Sequence, residues 1–327
     1  VPCGRVTPQP LPDLPNGATF AVALGPARVL VGSRSVVGEP VLHVVEPGGV
    51  VRGLRFALPT EPADLNPAYL YAMGALPVSG TDDEVWLSMR FGELWRVRLP
   101  ADEALVTPLE RVVTGLDEGL GFVAGVATAN RISLYGLAVG GPVVHYDGTR
   151  TRTLTTFPEL SYFSGGILVE EPRVYAVRAS SLEVQRIEDG LPVPLPVPGA
   201  REGLVAVARV PMLGVVVADG RGHLYVERGD RFEDVVDVGL GTGAQAIIPT
   251  PTGLWAAGGA GALRQWRLEG GLCAMGAPQI SQTLRYWARA DVGPPGAAAG
   301  DTWVATGPTR DGPGMIKAPL TLFTFGP

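Results

Sequence analysis

Three apolar runs in this sequence end on an arginine: Gly32-Ser33-Arg34, Ser88-Met89-Arg90 and Ala176-Val177-Arg178. Arg221 follows a fourth such run at nearly the same place, and Arg310 lies in a long Gly/Pro-rich turn near the end of the chain. The segments that separate the groups of runs supply Glu61, Asp64, Asp117, Glu118, Tyr162, Arg201 and Glu202. A guanidinium is a planar fork of donors that matches a carboxylate or another oxyanion two bonds at a time. Arginine forks beside carboxylates and a tyrosine could grip an anionic sugar, a peptide carboxylate or a loop of a partner protein. The same arginines also read as solubility residues, because Lys317 is the single lysine in 327 residues.

What would hold these residues together is a repeat. At intervals of about forty residues a first apolar run is followed by a second, a third closing on a charged turn, and a weaker fourth. The divisions fall at 18–58, 69–112, 121–158, 161–200, 203–241, 244–279 and 282–325. First runs such as Phe122 to Ala127 and Phe163 to Val169 are small and Gly-rich, as expected where strands crowd around an axis. Second runs such as Val85 to Leu87 and Val215 to Val217 are almost wholly apolar, which fits a strand buried on both faces. Third runs alternate, as in Leu94-Trp95-Arg96-Val97-Arg98, with one face packed and the other wetter. Fourth runs are polar and interrupted by proline, as in Leu191 to Pro198, and proline within a sheet belongs on an edge. Four strands graded from buried to edge, seven times over, predict an all-β fold: a seven-bladed β-propeller of four-stranded antiparallel blades, with 1–327 as a single domain.

The seventh copy is irregular. It carries an insert from Val292 to Gly300, a second turn from Gly307 to Gly314, and then one unbroken apolar run from Met315 to Phe325. Residues 1–12 have no place in the first copy. They are expected to supply the outer edge strand of the last blade, closing the ring. That places Cys3 on the rim beside the sixth blade, whose outer run holds Cys273. An even pair of cysteines points to one disulfide. Closing a loop of about 270 residues, it would contribute roughly 4–5 kcal/mol at most in the chain-entropy view. A disordered tail with two free thiols is the alternative.

The segment Ala218-Asp219-Gly220-Arg221-Gly222-His223-Leu224-Tyr225-Val226 resembles the inner hairpin of many bacterial and extracellular six- to seven-bladed propellers. The likeness covers nearly the whole chain as a period, with loose motifs. The Trp-Asp pair that ends the third strand in WD40 repeats is missing, as are the Asp-box, the Tyr-Trp-Thr-Asp repeat and the paired-glycine kelch pattern. The resemblance is therefore to a divergent propeller, and it implies no catalytic residues.

Other chemistry finds little support. His43, His145 and His223 lie in third runs of alternate repeats, too far apart to share a metal ion. Calcium-dependent hydrolytic propellers need carboxylates and amides on the inner strands. Here those strands carry almost none, and asparagine occurs only at positions 16, 66 and 130. The six tryptophans take different positions in different repeats, as residues wedged between blades do. No Gly-x-Ser-x-Gly, His-Glu-x-x-His or P-loop pattern occurs.

Composition bounds the rest. The net charge of −6 and the lack of any basic block set nucleic acid aside as a partner. No apolar stretch approaches the eighteen or more residues of a membrane-spanning helix. The chain begins at Val1 rather than Met, and with its paired cysteines it is expected to be exported from a bacterium to the periplasm, surface or medium. A lipidated cysteine upstream of Val1 is compatible with this. The expected function is a monomeric, non-catalytic binding or scaffold module that uses no metal or cofactor and recognises a protein or glycan through one loop-bearing face. A polysaccharide lyase or hydrolase with an Arg/Tyr/Glu site at the channel mouth is the alternative, and a structural subunit of an envelope or extracellular assembly is a third.

Overall fold

The computed structural model describes residues 4, 6–34, 39–57, 70–102, 104–158, 165–240, 244–258, 262–273, 286–289, 301–306, 309–311 and 315–325. These form seven sheets around a central channel, the first six each with four antiparallel strands running outward in chain order. Blade one comprises Ala18–Leu24, Arg28–Ser33, Leu42–Glu46 and Val50–Phe56, and blade two Ala72–Pro77, Glu84–Met89, Glu93–Arg98 and Pro108–Val113. Blade three is Leu120–Ala127, Ile132–Ala138, Pro142–Tyr146 and Thr151–Thr156, and blade four Gly165–Glu170, Arg173–Arg178, Glu183–Glu188 and Leu191–Pro196. Blade five is Leu204–Val210, Gly214–Asp219, His223–Arg228 and Arg231–Asp237, and blade six Ala244–Thr250, Gly253–Gly258, Leu263–Arg267 and Gly271–Leu272.

Blade seven joins both ends of the sequence. Tyr286–Arg289 pairs Asp301–Thr306, which pairs Met315–Phe325, and the outer strand is the N-terminal Val6–Leu14. The expected closing arrangement is thus present. Its register runs from Val6 opposite Phe325 to Leu14 opposite Ala318. Val6, Leu11 and Leu14 are buried, and the positions between them, among them Pro8, Pro10 and Pro12, face water, as suits an edge strand.

Burial follows the gradient read from the repeats. Every residue of Glu84–Met89 and of Gly253–Gly258 is buried, whereas most of Pro108–Val113 and Arg231–Asp237 is exposed or half-buried. Trp95, Trp255, Tyr175, Tyr225, Phe232 and Phe323 are the bulkiest fully buried side chains among the described residues, filling space within and between blades. Trp95 meets Phe56 of blade one edge-on at 5.4 Å between centroids.

Two features have no counterpart in the repeat pattern. Leu105–Val106, from the connection inside blade two, crosses back to pair in parallel with the outer strand of blade one, at Arg55 and Phe56. Arg52 of that strand donates to the Pro100 carbonyl oxygen at 2.6 Å beside it. The inner strands of blades one, two, three, five and six also share a register shift near their first residue, such as that between Leu120 and Phe122. A bulge there re-aims the strand as it enters the channel wall.

Candidate functional site

Antiparallel order gives the ring two unlike faces. The turn between second and third strands lies on the same face as the connections between blades, while the other two turns of each blade lie on the opposite face. The arginines singled out above belong to the first face, and the structure places them differently.

Arg34 follows the second strand of blade one, is exposed, and has no carboxylate at ion-pair distance among the described residues. Arg90 pairs with Glu118 of the connection into blade three at 2.8 Å. Arg221 pairs with Glu202 of the connection into blade five at 2.9 Å. Its turn is fixed by Asp219, which is fully buried. The Asp219 carboxylate accepts the backbone N–H groups of Arg221 and His223 at 2.9 and 3.0 Å and the Tyr225 hydroxyl at 3.0 Å. Burial, followed by the neighbouring Asp219 charge, pushes the Tyr225 hydroxyl well above its ordinary pKa, so it stays a donor. Arg178, by contrast, is buried and points across the interface to blade three, where it donates to the Ala138 carbonyl at 3.0 Å and also to that of Val139. It is a strut between blades. Arg310 sits in the short strand Thr309–Asp311, opposite Ile316. Tyr162 and Cys3 lie outside the described residues, as do the expected inserts from Val292 to Gly300 and most of Gly307 to Gly314.

At the axis, the inner strands of all seven blades enclose a cavity of about 300 Å³ lined by apolar and small residues, among them Phe20, Phe122, Ile167, Val207, Ile247 and Trp287. Gln245 and Tyr286 add polar atoms, and the described lining carries no Arg, Lys, His, Asp or Glu.

The histidines do not converge. His43 is buried and shares a hydrogen bond with Ser33 at 3.1 Å; burial pushes its pKa down to about 4, so it is neutral at pH 7. His145 shares one with Ser133 at 3.0 Å, and His223 lies beside Asp237 at 3.4 Å. No three His, Cys, Asp or Glu side chains gather to hold a metal among the described residues. No described helix is long and apolar enough to cross a membrane.

Sequence spacing gave no hint of the charged contacts between blades four and five. Arg186, almost fully buried, reaches Glu227 and Asp230 at 3.1 and 3.3 Å as well as Glu188 of its own blade at 3.1 Å, while the Tyr175 hydroxyl donates to Glu227 at 2.9 Å. Only the alternating pattern of the third strands, which puts Arg186 and Glu227 on facing sides, carries a trace of them. A second concavity, between blades three and four on the face opposite the arginines, has no sequence mark either.

Compared with known proteins, the chain matches no family model, and no curated protein sequence matches it. Its fold is shared with solved structures. One titled as the crystal structure of RRP9 WD40 repeats superposes with a TM-score of 0.67 at 9% identity, covering 97% of each chain. Another, titled as the crystal structure of the mitotic checkpoint complex, gives 0.64 at 15% identity over 96% of this chain and 93% of the other. At such identities the likeness is one of fold: a β-propeller built as WD40 repeats are, without their Trp-Asp signature.

Proposed function

We propose that the protein is a non-catalytic binding module of an exported bacterial protein, engaging a protein partner through the face that carries Arg34, Arg90 and Arg221. The observation that carries this reading is the channel. A lyase or hydrolase of the alternative kind needs guanidinium, carboxylate and hydroxyl groups together at the channel mouth, and the described lining of the channel itself is apolar and glycine-rich. On the loop-bearing face, ion pairs of Arg90 with Glu118 and Arg221 with Glu202 hold inter-blade connections against neighbouring turns. Such pinned loops form a pre-organised surface, which lowers the ordering cost of association. A chain of the same fold occurs in a structure titled as the mitotic checkpoint complex, which is a precedent for a propeller within a protein assembly.

Export fits a bridge between Cys3 and Cys273. Gly4 and Cys273 are both hydrogen-bonded to Gln265, which supports the expected bridge between Cys273 and the residue that precedes Gly4 in the sequence.

Affinity capture from the native organism, with the wild-type protein and with Arg34, Arg90 and Arg221 all changed to Ala, tests the reading. A partner bound by the wild type and lost by the triple variant is the expected result. Full retention of every partner would remove the arginine face from consideration, and turnover of a polysaccharide by the wild type would replace the reading with the enzymatic one.

A further inference from the structure

The concavity on the opposite face is a cleft of about 810 Å³ between blades three and four, inside the range of about 300–1,000 Å³ typical of small-ligand sites. One wall comes from blade three. Arg131 there has no carboxylate partner for its guanidinium among the described residues, and Arg152 reaches Asp147 only at 3.4 Å. Asp147 is already engaged by its own turn. It accepts the Thr149 hydroxyl at 2.7 Å and the N–H groups of Thr149 and Arg150 at 3.0 and 3.1 Å. Most donors of Arg152 are therefore left for a ligand.

The other wall comes from blade four and has the opposite sign. Glu171 and Asp189 line it, and neither makes an ion pair among the described residues. Arg173 adds no unmatched charge because it is bound to Glu188 at 2.6 Å. Between the walls, Tyr135 and His145 are cross-strand neighbours stacked at 4.2 Å with 10° between their planes. Burial, and then the nearby Arg152, lowers the His145 pKa, so this lining is uncharged at neutral pH. The Ser133–His145 hydrogen bond invites comparison with a nucleophile and its base. The same pair recurs as Ser33–His43, buried inside blade one, which marks it as a device for joining second and third strands.

We propose that this cleft binds a short peptide segment of a partner, with an acidic residue on the Arg131 and Arg152 wall and a basic residue on the Glu171 and Asp189 wall. A ligand of one sign would meet repulsion on one wall whichever way it entered, whereas a segment carrying both signs satisfies both and is held in one direction. This site is separate from the arginine face and stands or falls without it.

The test uses acetylated, amidated peptides with Glu and Lys separated by Ala-Tyr-Ala or by one or five uncharged residues, titrated calorimetrically into the full chain. One spacing should bind, and Arg131→Ala with Arg152→Ala, or Glu171→Gln with Asp189→Asn, should each weaken it about tenfold, the loss of one charge-assisted hydrogen bond. All four positions are exposed, so circular dichroism should report both variants folded, and Arg231→Ala, on the outer strand of blade five, should bind as the wild type does. The proposal is overturned if no spacing binds, if both variants bind unchanged, or if a peptide with Gln in place of both charged residues binds equally well.

Discussion

The backbone N–H of Gly4 donates to the side-chain oxygen of Gln265 at 2.8 Å, tying the start of the sequence to the third strand of blade six. The carbonyl oxygen of the same glutamine accepts the N–H of Cys273 at 2.9 Å. Non-reducing peptide mapping should therefore recover a fragment containing both Cys3 and Cys273, which falls into two on reduction. Alkylation of both thiols in the unreduced, denatured protein would sink the bridge.

The closing strand should matter to stability independently of that bridge. Deleting residues 1–14 uncovers the edge of Met315–Phe325 and the apolar positions beneath Leu11 and Leu14. The truncated protein should melt at a lower temperature and associate through the bare edge, read by light scattering after gel filtration. A synthetic peptide of residues 4–14 should restore a monomer.

Arg178 and Arg34 should respond in opposite ways to the same change. Arg178→Ala leaves the Ala138 and Val139 carbonyls without their buried donor and should cost about 1–3 kcal/mol in chemical denaturation. Arg34→Ala, on an exposed turn, should stay within about 0.5 kcal/mol.

His43 gives stability a defined pH dependence. Its folded pKa, about 4, lies below the ordinary 6.5 because burial disfavours the cation. The unfolded chain therefore binds a proton first, and stability is complete above the ordinary value and falls as pH drops from there towards the folded one, by about 3 kcal/mol at most. Glu84 acts in a lower window. Hydrogen bonds from Arg98 and then Arg96 hold its carboxyl below the usual range, so its contribution is lost only as pH falls beneath the ordinary carboxylate value. Urea titrations between pH 7 and 4 should show the first slope in the wild type and its loss in His43→Gln.

Gly203 opens blade five where two segments touch. A Cβ there would lie 1.7 Å from the Ala179 carbonyl oxygen, a backbone atom that cannot swing aside. Gly203→Ala should cost about 3 kcal/mol or more as the connection is forced away. Gly229→Ala, with open space around it but a φ of +67°, should cost about 1 kcal/mol. Melting temperatures of the two variants decide the order.

The blades were legible because each strand's exposure is written in its own residues. Glu84–Met89 reads as buried and Leu191–Pro196 as an edge without reference to anything distant. The exchange in blade seven was legible too, since residues 1–12 had no place in the first repeat and Met315–Phe325 ran on with no turn inside it. What local pattern could not supply was contact between blades. Arg178 sits at the same repeat position as Arg34 and Arg90, yet it faces blade three because the Ala138 and Val139 carbonyls stand there to receive it. Arg131 and Glu171 are each unremarkable turn residues, and only the ring's curvature makes them opposite walls. The return of Leu105–Val106 to blade one was hidden for the same reason, being a two-residue pairing inside a connection.

The pairing of Val6 with Phe325 also bears on how the ring closes. The Val6–Leu14 strand and its partner Met315–Phe325 are separated in the sequence by six whole blades. Ring closure is then the contact of greatest sequence separation in the molecule, and such contacts are slow to form because the intervening chain must already be arranged. Pairing of these two strands should therefore be a late step of folding, and any factor that shields Val6–Leu14 until then would raise the yield of closed rings.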